Sequence, residues 1–266
     1  MSGDHFQQAF GPVALVTGAS SGIGKAFAEH LAALGLDLVL VARRVERLQQ
    51  LAETLRAQHG TQTTICQVDL ADASAAQQIL DATAALDIGL IVSNAGFGLK
   101  GEHAGNDPQQ MAEMLMVNCN TPTQLTHGFI PRLRQRPLRA GTRGGIILTS
   151  SVEALIGCPY STVYSASKAF VNNLGEGLWG ELTPEGIKVL TLCPGATDTE
   201  AAAKQGIDLS QMNNVMSPQQ VVELTLQNID NGPTFISSAH YQALFEQLLS
   251  LPRQQALTAM AGSMKK

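Results

Sequence analysis

Short apolar runs alternate with helix-period segments along most of this chain, and that alternation most limits how it can fold. The runs are Val13 to Thr17, Asp37 to Ala42, Thr64 to Val68, Gly89 to Ser93, Gly145 to Thr149 and Lys188 to Leu192, each short enough to be a buried strand. Between them, Ile23, Phe27, Leu31 and Leu34 recur at helical spacing until Gly35, and Leu48, Leu51 and Leu55 do the same before Gly60. Asp107-Pro108 is a helix start, with the acid as cap and proline in the first turn. Strand and helix in alternation call for parallel strands joined by right-handed crossovers. The expected fold class is α/β, a doubly wound central parallel sheet with helices on both faces. No repeat, low-complexity tract or linker marks a boundary, so residues 1–266 are read as a single domain. A cofactor half spans about 10–150 and a catalytic and substrate half about 151–266.

Charge narrows the partners. With 17 basic and 22 acidic side chains the net charge is -5, which offers no basic field for a phosphate backbone, and nucleic acid is not an expected partner. The first residues lack a basic segment followed by an apolar core, and no apolar run approaches the roughly 20 residues that cross a bilayer. No membrane association is expected. Cys66, Cys119, Cys158 and Cys193 have no Cys-x-x-Cys spacing and read as free thiols of a cytoplasmic protein. The arginine-rich stretch from Arg132 to Gly144, broken by Pro137, reads as an exposed helix extension, a solvated loop in preference to a basic partner site.

Ligands of such sheets sit beyond the carboxyl ends of the strands, and the chemistry-bearing residues fall there. After the first run comes Thr17-Gly18-Ala19-Ser20-Ser21-Gly22-Ile23-Gly24. Gly18 permits the tight turn, Gly22 lets backbone approach a pyrophosphate, and Gly24 brings the helix close to the sheet. Ser20, Ser21 and Ile23 complete a turn that delivers the phosphates to a helix N-terminus. The second run ends in Ala42-Arg43-Arg44, where an NAD enzyme would carry an acid for the ribose hydroxyls. Arg43 and Arg44 can fork a 2'-phosphate instead, so the expected cofactor is NADP(H). Asp69 and Leu70 suit the adenine edge and ring, although a turn role for Asp69 is as good a reading. Asn94-Ala95-Gly96 gives small residues beside the cofactor, with Asn94 able to pin neighbouring strand ends.

Tyr164 and Lys168, four apart, share a helix face, which lets an ammonium stabilise a phenolate and bring the phenol toward the working range of an acid or base. No metal-ligand spacing accompanies them, and proton transfer is assigned to this pair. Together with the glycine turn, Asn94-Ala95-Gly96, Asn118, Ser151 and Pro194-Gly195, the pair resembles the short-chain dehydrogenase/reductase family, NADP(H)-preferring type, across roughly the first 200 residues. The resemblance implies a Rossmann-type fold, a nicotinamide cofactor and a homodimer or homotetramer. It makes Tyr164 the general acid/base, Ser151 the second donor to a carbonyl, and Lys168 the residue that holds the nicotinamide ribose. Asn118 would support a water path from Lys168 to solvent. Pro194, Gly195, Thr197 and Thr199 resemble the segment that meets the nicotinamide amide, with Thr197 standing where Val or Ile is usual.

The substrate side is less determined. Glu153, Cys158, Pro159 and Tyr160 follow Ser151, and Phe97, Met212 and Met216 are further candidates for a largely apolar pocket. The expected substrate is a small-molecule ketone or secondary alcohol: a steroid, terpenoid, aromatic ketone or 3-oxoacyl group. Glu153 reads equally as an orienting carboxylate or a solvated one. Residues 200–217 can fold over a substrate before a helix start at Ser217-Pro218. Thr234 to Ser237 suggests a last strand, and Tyr241, Leu244, Phe245, Leu248 and Leu249 form an amphipathic stripe read as packing or subunit contact. The alternative functional reading is a non-catalytic NADP(H)-binding regulatory protein.

Overall fold

The computed structural model describes residues 3–206 and 208–264. Seven parallel strands form one sheet in the order β3-β2-β1-β4-β5-β6-β7. They are β1 (Val13–Thr17), β2 (Asp37–Ala42), β3 (Thr63–Gln67), β4 (Ile88–Ser93), β5 (Gly144–Thr149), β6 (Ile187–Cys193) and β7 (Thr234–Ile236). Every strand expected from the apolar runs is present, each end within one residue of its expected position. The chain moves outward from β1 to β3, returns to β4 beside β1, and then proceeds the other way. That reversal opens a crevice at the carboxyl ends of β1 and β4.

Burial follows the strand period. Ala14 and Val16 of β1 and Leu38 and Leu40 of β2 belong to one core, Leu15, Val39 and Val41 to the other. Helices α1 (Gly3–Phe10), α2 (Gly22–Ala33), α3 (Val45–His59) and α9 (Pro218–Gln227) supply the first core with residues such as Phe27, Leu31, Leu48 and Val221. The second core takes side chains from α4 (Ala75–Ala82), α6 (Thr121–Gln135) and α7 (Thr162–Leu182), among them Ile79, Phe129 and Val171. Both faces are covered, which is why the strands read as near-continuous apolar runs. Burying a side chain such as Phe27 contributes about 1.5–3 kcal/mol. The remaining helices are α5 (Pro108–Leu115), α8 (Glu200–Lys204), α10 (Ala239–Ser250) and α11 (Arg253–Met264). As expected, Asp107 caps α5 and Ser217 caps α9.

Helices α1 and α11 lay outside the sequence reading, as did the short α8. α1 buries Phe6, Ala9 and Phe10, and a Cβ on Gly89 would lie 2.2 Å from the Phe10 carbonyl oxygen, so only glycine lets this helix close on β4. α11 has no apolar stripe to announce it and buries only Ala256.

The arginine-rich stretch is exposed over 137–141, as expected of a solvated loop, but Arg132 and Arg136 turn to backbone carbonyls. Arg136 is 6% exposed, pairs with Asp87, and donates to the Gly11 carbonyl at 2.6 Å and the Arg143 carbonyl at 2.7 Å. Arg132 donates to the carbonyls of Leu80 at 2.8 Å and Thr83 at 3.2 Å. Carbonyls just before β1, β4 and β5 have no ladder partner, and the guanidinium forks satisfy them at the end of the sheet opposite the crevice. Arg136→Ala is expected to lower the unfolding free energy by about 3 kcal/mol in urea titration, because buried acceptors lose their donor. Arg134→Ala, which breaks an exposed pair with Glu185, should leave the midpoint nearly unchanged. Equal effects of the two substitutions would refute the structural role of Arg136.

Candidate active site

Asn94, at the end of β4, ties three strands at the crevice. Its backbone N–H donates to Thr17 Oγ1 at 2.9 Å, its amide to the Thr17 carbonyl at 3.2 Å, and its Oδ1 accepts from Thr149 at 3.2 Å. Ala95 N–H also donates to Thr17 Oγ1. The glycine turn runs beside this tie. Gly18 and Gly22 have φ of +70° and +54°, and a Cβ on Gly24 would stand 2.3 Å from the Gly18 carbonyl oxygen. Ser21 precedes α2 but makes no side-chain cap bond; its hydroxyl accepts from Arg44 at 2.8 Å. The first N–H groups of α2, around Ile23, are thus not taken by a cap and suit an anion. Thr199 lies across the turn, its Cγ2 3.1 Å from where a Gly22 Cβ would be. These features fit a dinucleotide pyrophosphate.

The arginines behave differently from one another. Arg44 reaches the turn, with hydrogen bonds to Ser20 at 3.0 Å and Ser21, and a third to Glu200 at 2.8 Å. Arg43 is 71% exposed and stands 3.6 Å from Asp69. Asp69 also accepts from the Ala71 N–H at 3.0 Å, so its carboxylate takes the turn role that sequence left open. Leu70 is nearly buried within the second core, and its carbonyl accepts from Thr121.

On the other side of Asn94 the four expected catalytic side chains come together. Lys168 is 4% exposed; its Nζ donates to the Thr149 carbonyl at 2.9 Å and lies 5.7 Å from the centroid of the Tyr164 ring. Tyr164 hydrogen-bonds Ser151, whose Oγ also accepts from the Glu153 N–H at 3.1 Å. Ser150 is turned away and donates to the Lys168 carbonyl at 2.8 Å. Asn118 sits on a π-helical segment between α5 and α6, the kind of irregularity that often marks a functional site. Its amide donates to the Phe97 carbonyl at 2.9 Å and to Ser167 Oγ at 3.0 Å, and its Oδ1 accepts from the Phe97 N–H. A Cβ on Gly96 would lie 3.0 Å from both Asn118 Oδ1 and Lys168 Nζ, so any side chain there would press both away from their present places.

Burial reverses one electrostatic expectation. The Tyr164 phenol is held above its ordinary value by desolvation and by the Glu153 charge, and the Ser151 hydrogen bond lowers it only in part. Lys168 is itself pushed down to about 8 by burial. The ammonium therefore does not bring the phenol down to neutrality; in the protein alone the phenol stays protonated.

The substrate side holds an ion pair where sequence left a solvated carboxylate open. Lys100 Nζ donates to Glu153 at 2.7 Å and to Ser161 Oγ at 3.1 Å, while Ser161 donates to the other Glu153 oxygen at 2.5 Å. Lys100 lies 5.9 Å from the Tyr164 ring centroid. Tyr160, at φ +60°, accepts from the Gly101 N–H and joins the two loops. One expected substrate residue is corrected. Cys158 is buried in an apolar cluster with Ile156 and Phe245, its thiol donates to the Ile156 carbonyl, and burial raises it to about 12. Met216 packs against the first core and pairs with Thr197 in a short bridge. Met212 is exposed.

Lys100, Ser161, Glu200 and Arg47 had no local signal, because each meets its partner only through the fold. Tyr241 did, as one member of the α10 stripe. Its ring lies over Gly195, where a Cβ would approach within 2.2 Å, and it hydrogen-bonds the Ala196 backbone. Gly195 and Thr197 are joined by a bond from Thr197 Oγ1 to the Gly195 carbonyl at 3.0 Å, and the Pro194 carbonyl accepts from Val152. Among the described residues no group of three His, Cys, Asp or Glu could hold a metal.

Residues 12–209 match a family model described as short chain dehydrogenase. The chain is 29% identical over 234 residues to a 7beta-hydroxysteroid dehydrogenase of Clostridium sardiniense, covering 88% of each. It is 33% identical to a short-chain dehydrogenase from Sphingobium yanoikuyae solved in complex with NADPH, with a TM-score of 0.81 over 93% of this chain and 95% of that one. A bulky-bulky ketone specific alcohol dehydrogenase from Comamonas testosteroni is 31% identical, with a TM-score of 0.75 over 91% and 95%.

The Lys168 shift has a defined sign. Its folded value near 8 lies below the ordinary 10.5, so folding opposes the charged form. That cost is full below about pH 8 and fades as pH rises toward the ordinary value. Wild type should therefore gain stability relative to Lys168→Met between about pH 7 and about pH 9, read from urea midpoints. A gap that does not move would place the ammonium in water rather than in the core.

Proposed function

Because the chain belongs to the short-chain dehydrogenase family of oxidoreductases, we propose that it interconverts a ketone and a secondary alcohol with NADP(H), Tyr164 serving as general acid and base. The observation that carries this reading is the meeting of Ser151, Tyr164, Lys168 and Asn118 beside the glycine turn, at the carboxyl ends of β1, β4 and β5. The turn residues Gly18 to Gly24, with Asn94, Ala95 and Gly96 and the segment from Pro194 to Thr199, would hold the dinucleotide. A nicotinamide bound there would supply or accept the hydride of the reaction.

The chain's own residues handle the proton. During reduction, Tyr164 Oη gives its proton to the carbonyl oxygen as negative charge develops there, and Ser151 donates a second hydrogen bond to the same oxygen. A phenol held above its ordinary value is fully protonated at neutral pH, the form that reduction needs. Lys168, mostly charged at about pH 7, then offsets the phenolate and holds the nicotinamide ribose. Asn118, fixed between Phe97 and Ser167, supports the route by which Lys168 exchanges protons with solvent. Oxidation needs the deprotonated phenol, so it is favoured at higher pH.

Arg43 and Arg44 support NADP(H) over NAD(H), since Ala42 leaves the usual acidic slot empty of charge and Arg43 faces Asp69. The NADPH bound to the Sphingobium relative is consistent with this preference. A bulky, largely apolar ketone or alcohol, of the steroid, terpenoid, aromatic ketone or 3-oxoacyl type, is supported by the names of the hydroxysteroid and bulky-bulky ketone relatives. A homo-oligomer is supported by the exposed Leu115 of α5 and Phe170 of α7. The free thiols suit a cytoplasmic setting, and no described helix is long and apolar enough to cross a membrane.

Assays of a ketone and alcohol panel with NADPH, NADP+, NADH and NAD+ test the reading. Turnover with NADPH should exceed that with NADH in kcat/KM, and Arg43→Ala should weaken NADPH affinity. The opposite preference would overturn the cofactor assignment, and no turnover with any pair would favour the regulatory alternative. Tyr164→Phe should lower kcat by about a thousandfold with cofactor binding nearly intact. A near-normal kcat would remove Tyr164 from the chemistry.

A further inference from the structure

Glu200 opens α8, on the far side of the crevice from α3, yet its carboxylate is held by two arginines of the β2–α3 region. Arg44 Nη1 donates to one oxygen at 2.8 Å and Arg47 to the other. Arg44 spends its remaining nitrogens on Ser20 and Ser21, so every nitrogen of this guanidinium is engaged, and one of its partners is an anion. The two guanidinium groups pull the Glu200 carboxyl down to about 2. Glu200, Arg47, Ser20 and Ser21 border a cleft of about 590 Å³ that also includes Lys25, Asp198 and Thr199.

α8 is short, and both of its ends touch the site. Thr199 caps its start and lies against Gly22. Gln205 follows its end; Gln205 Oε1 would lie 2.6 Å, and Tyr164 Cδ2 3.0 Å, from a Cβ on Gly98. One segment of the chain therefore spans the distance from the arginines to the tyrosine. Its anchor at the arginine end is an ion pair between partly exposed groups, which is screened and readily exchanged.

We propose that Glu200 is an internal competitor for the ribose 2'-phosphate, occupying Arg44 and Arg47 until that phosphate displaces it and frees the 199–205 segment. The proposal rests on the NADP(H) reading and extends it to a residue that sets cofactor affinity. A phosphate monoester carries about -1.5 to -2 charges and three acceptor oxygens against the single charge of a carboxylate, so it wins the arginines when present. Its apparent affinity is nevertheless reduced, because the Glu200 contacts break as the phosphate binds. A dinucleotide without the phosphate leaves the contacts in place. Glu200 thus narrows the difference between NADP(H) and NAD(H) that the arginines would otherwise give, and links the adenosine end of the cofactor to Gln205, which with Tyr164 borders Gly98.

The test uses the adenosine fragments 2',5'-ADP and 5'-AMP, so that binding is read by calorimetry with no catalytic activity involved. Wild type should prefer 2',5'-ADP. Glu200→Gln should bind 2',5'-ADP about fivefold tighter and 5'-AMP within about twofold of wild type. Amide hydrogen exchange across 199–206 should rise in wild type on adding 2',5'-ADP but not 5'-AMP, and should already be high in Glu200→Gln. Unchanged or weaker 2',5'-ADP binding by Glu200→Gln would overturn the proposal, since Glu200 would then only orient the arginines. Absence of any wild-type preference for 2',5'-ADP would instead defeat the NADP(H) reading, and the proposal with it.

Discussion

The hydrogen bonds of Asn94 across the ends of β1, β4 and β5 hold the place where strand order reverses, and the rest of the site depends on that junction. On one side the glycine turn leaves β1 and leads into α2, where unpaired N–H groups suit a phosphate. On the other, β5 delivers Thr149, Ser150 and Ser151 to α7, whose Tyr164 and Lys168 face back toward them. Gly96 lies between, at a position where a Cβ would crowd both Asn118 and Lys168. Binding and proton transfer are adjacent because the same strand ends support both.

Electrostatics at the site are governed by burial more than by pairing. The phenol rises and the ammonium falls, both because the charged form of each loses water. Glu153 adds to the first effect, while Lys100 and Ser161 keep that carboxylate hydrogen-bonded rather than solvated. The outcome is a tyrosine that keeps its proton and a lysine that remains charged near neutrality, a combination suited to donating a proton to a developing alkoxide. At the cofactor end the order is inverted: Glu200, Arg44 and Arg47 are partly exposed, and their arrangement is set by mutual attraction.

The strands were legible because both sheet faces are buried, which writes an uninterrupted apolar run for each strand; α2 and α3 were legible from one apolar stripe each. The ends of α5 and α9 were legible from their caps. α1 was not, since eight residues carry only three buried positions and its partner, the bare backbone at Gly89, leaves no pattern in its own sequence. Arg132 and Arg136 misled for a related reason. A charge count registers their charge, whereas their partners are backbone carbonyls that have no sequence signature. Cys158 was placed at the substrate by proximity along the chain, and it instead fills a packing site.

What the sequence determined by itself was whatever depends on neighbours within a few residues: the glycine conformations of the turn, the four-residue spacing that puts Tyr164 and Lys168 on one face, and the alternation that makes the sheet parallel. Tertiary structure alone decided the long-range contacts, Glu200 with Arg44 and Arg47, Lys100 with Glu153, and Tyr241 over Gly195. It also decided the proton affinities of Tyr164 and Lys168. The physical reason is common to both. Which side chains meet, and how much water they lose on meeting, is fixed by which strands lie side by side, and no local spacing records that order.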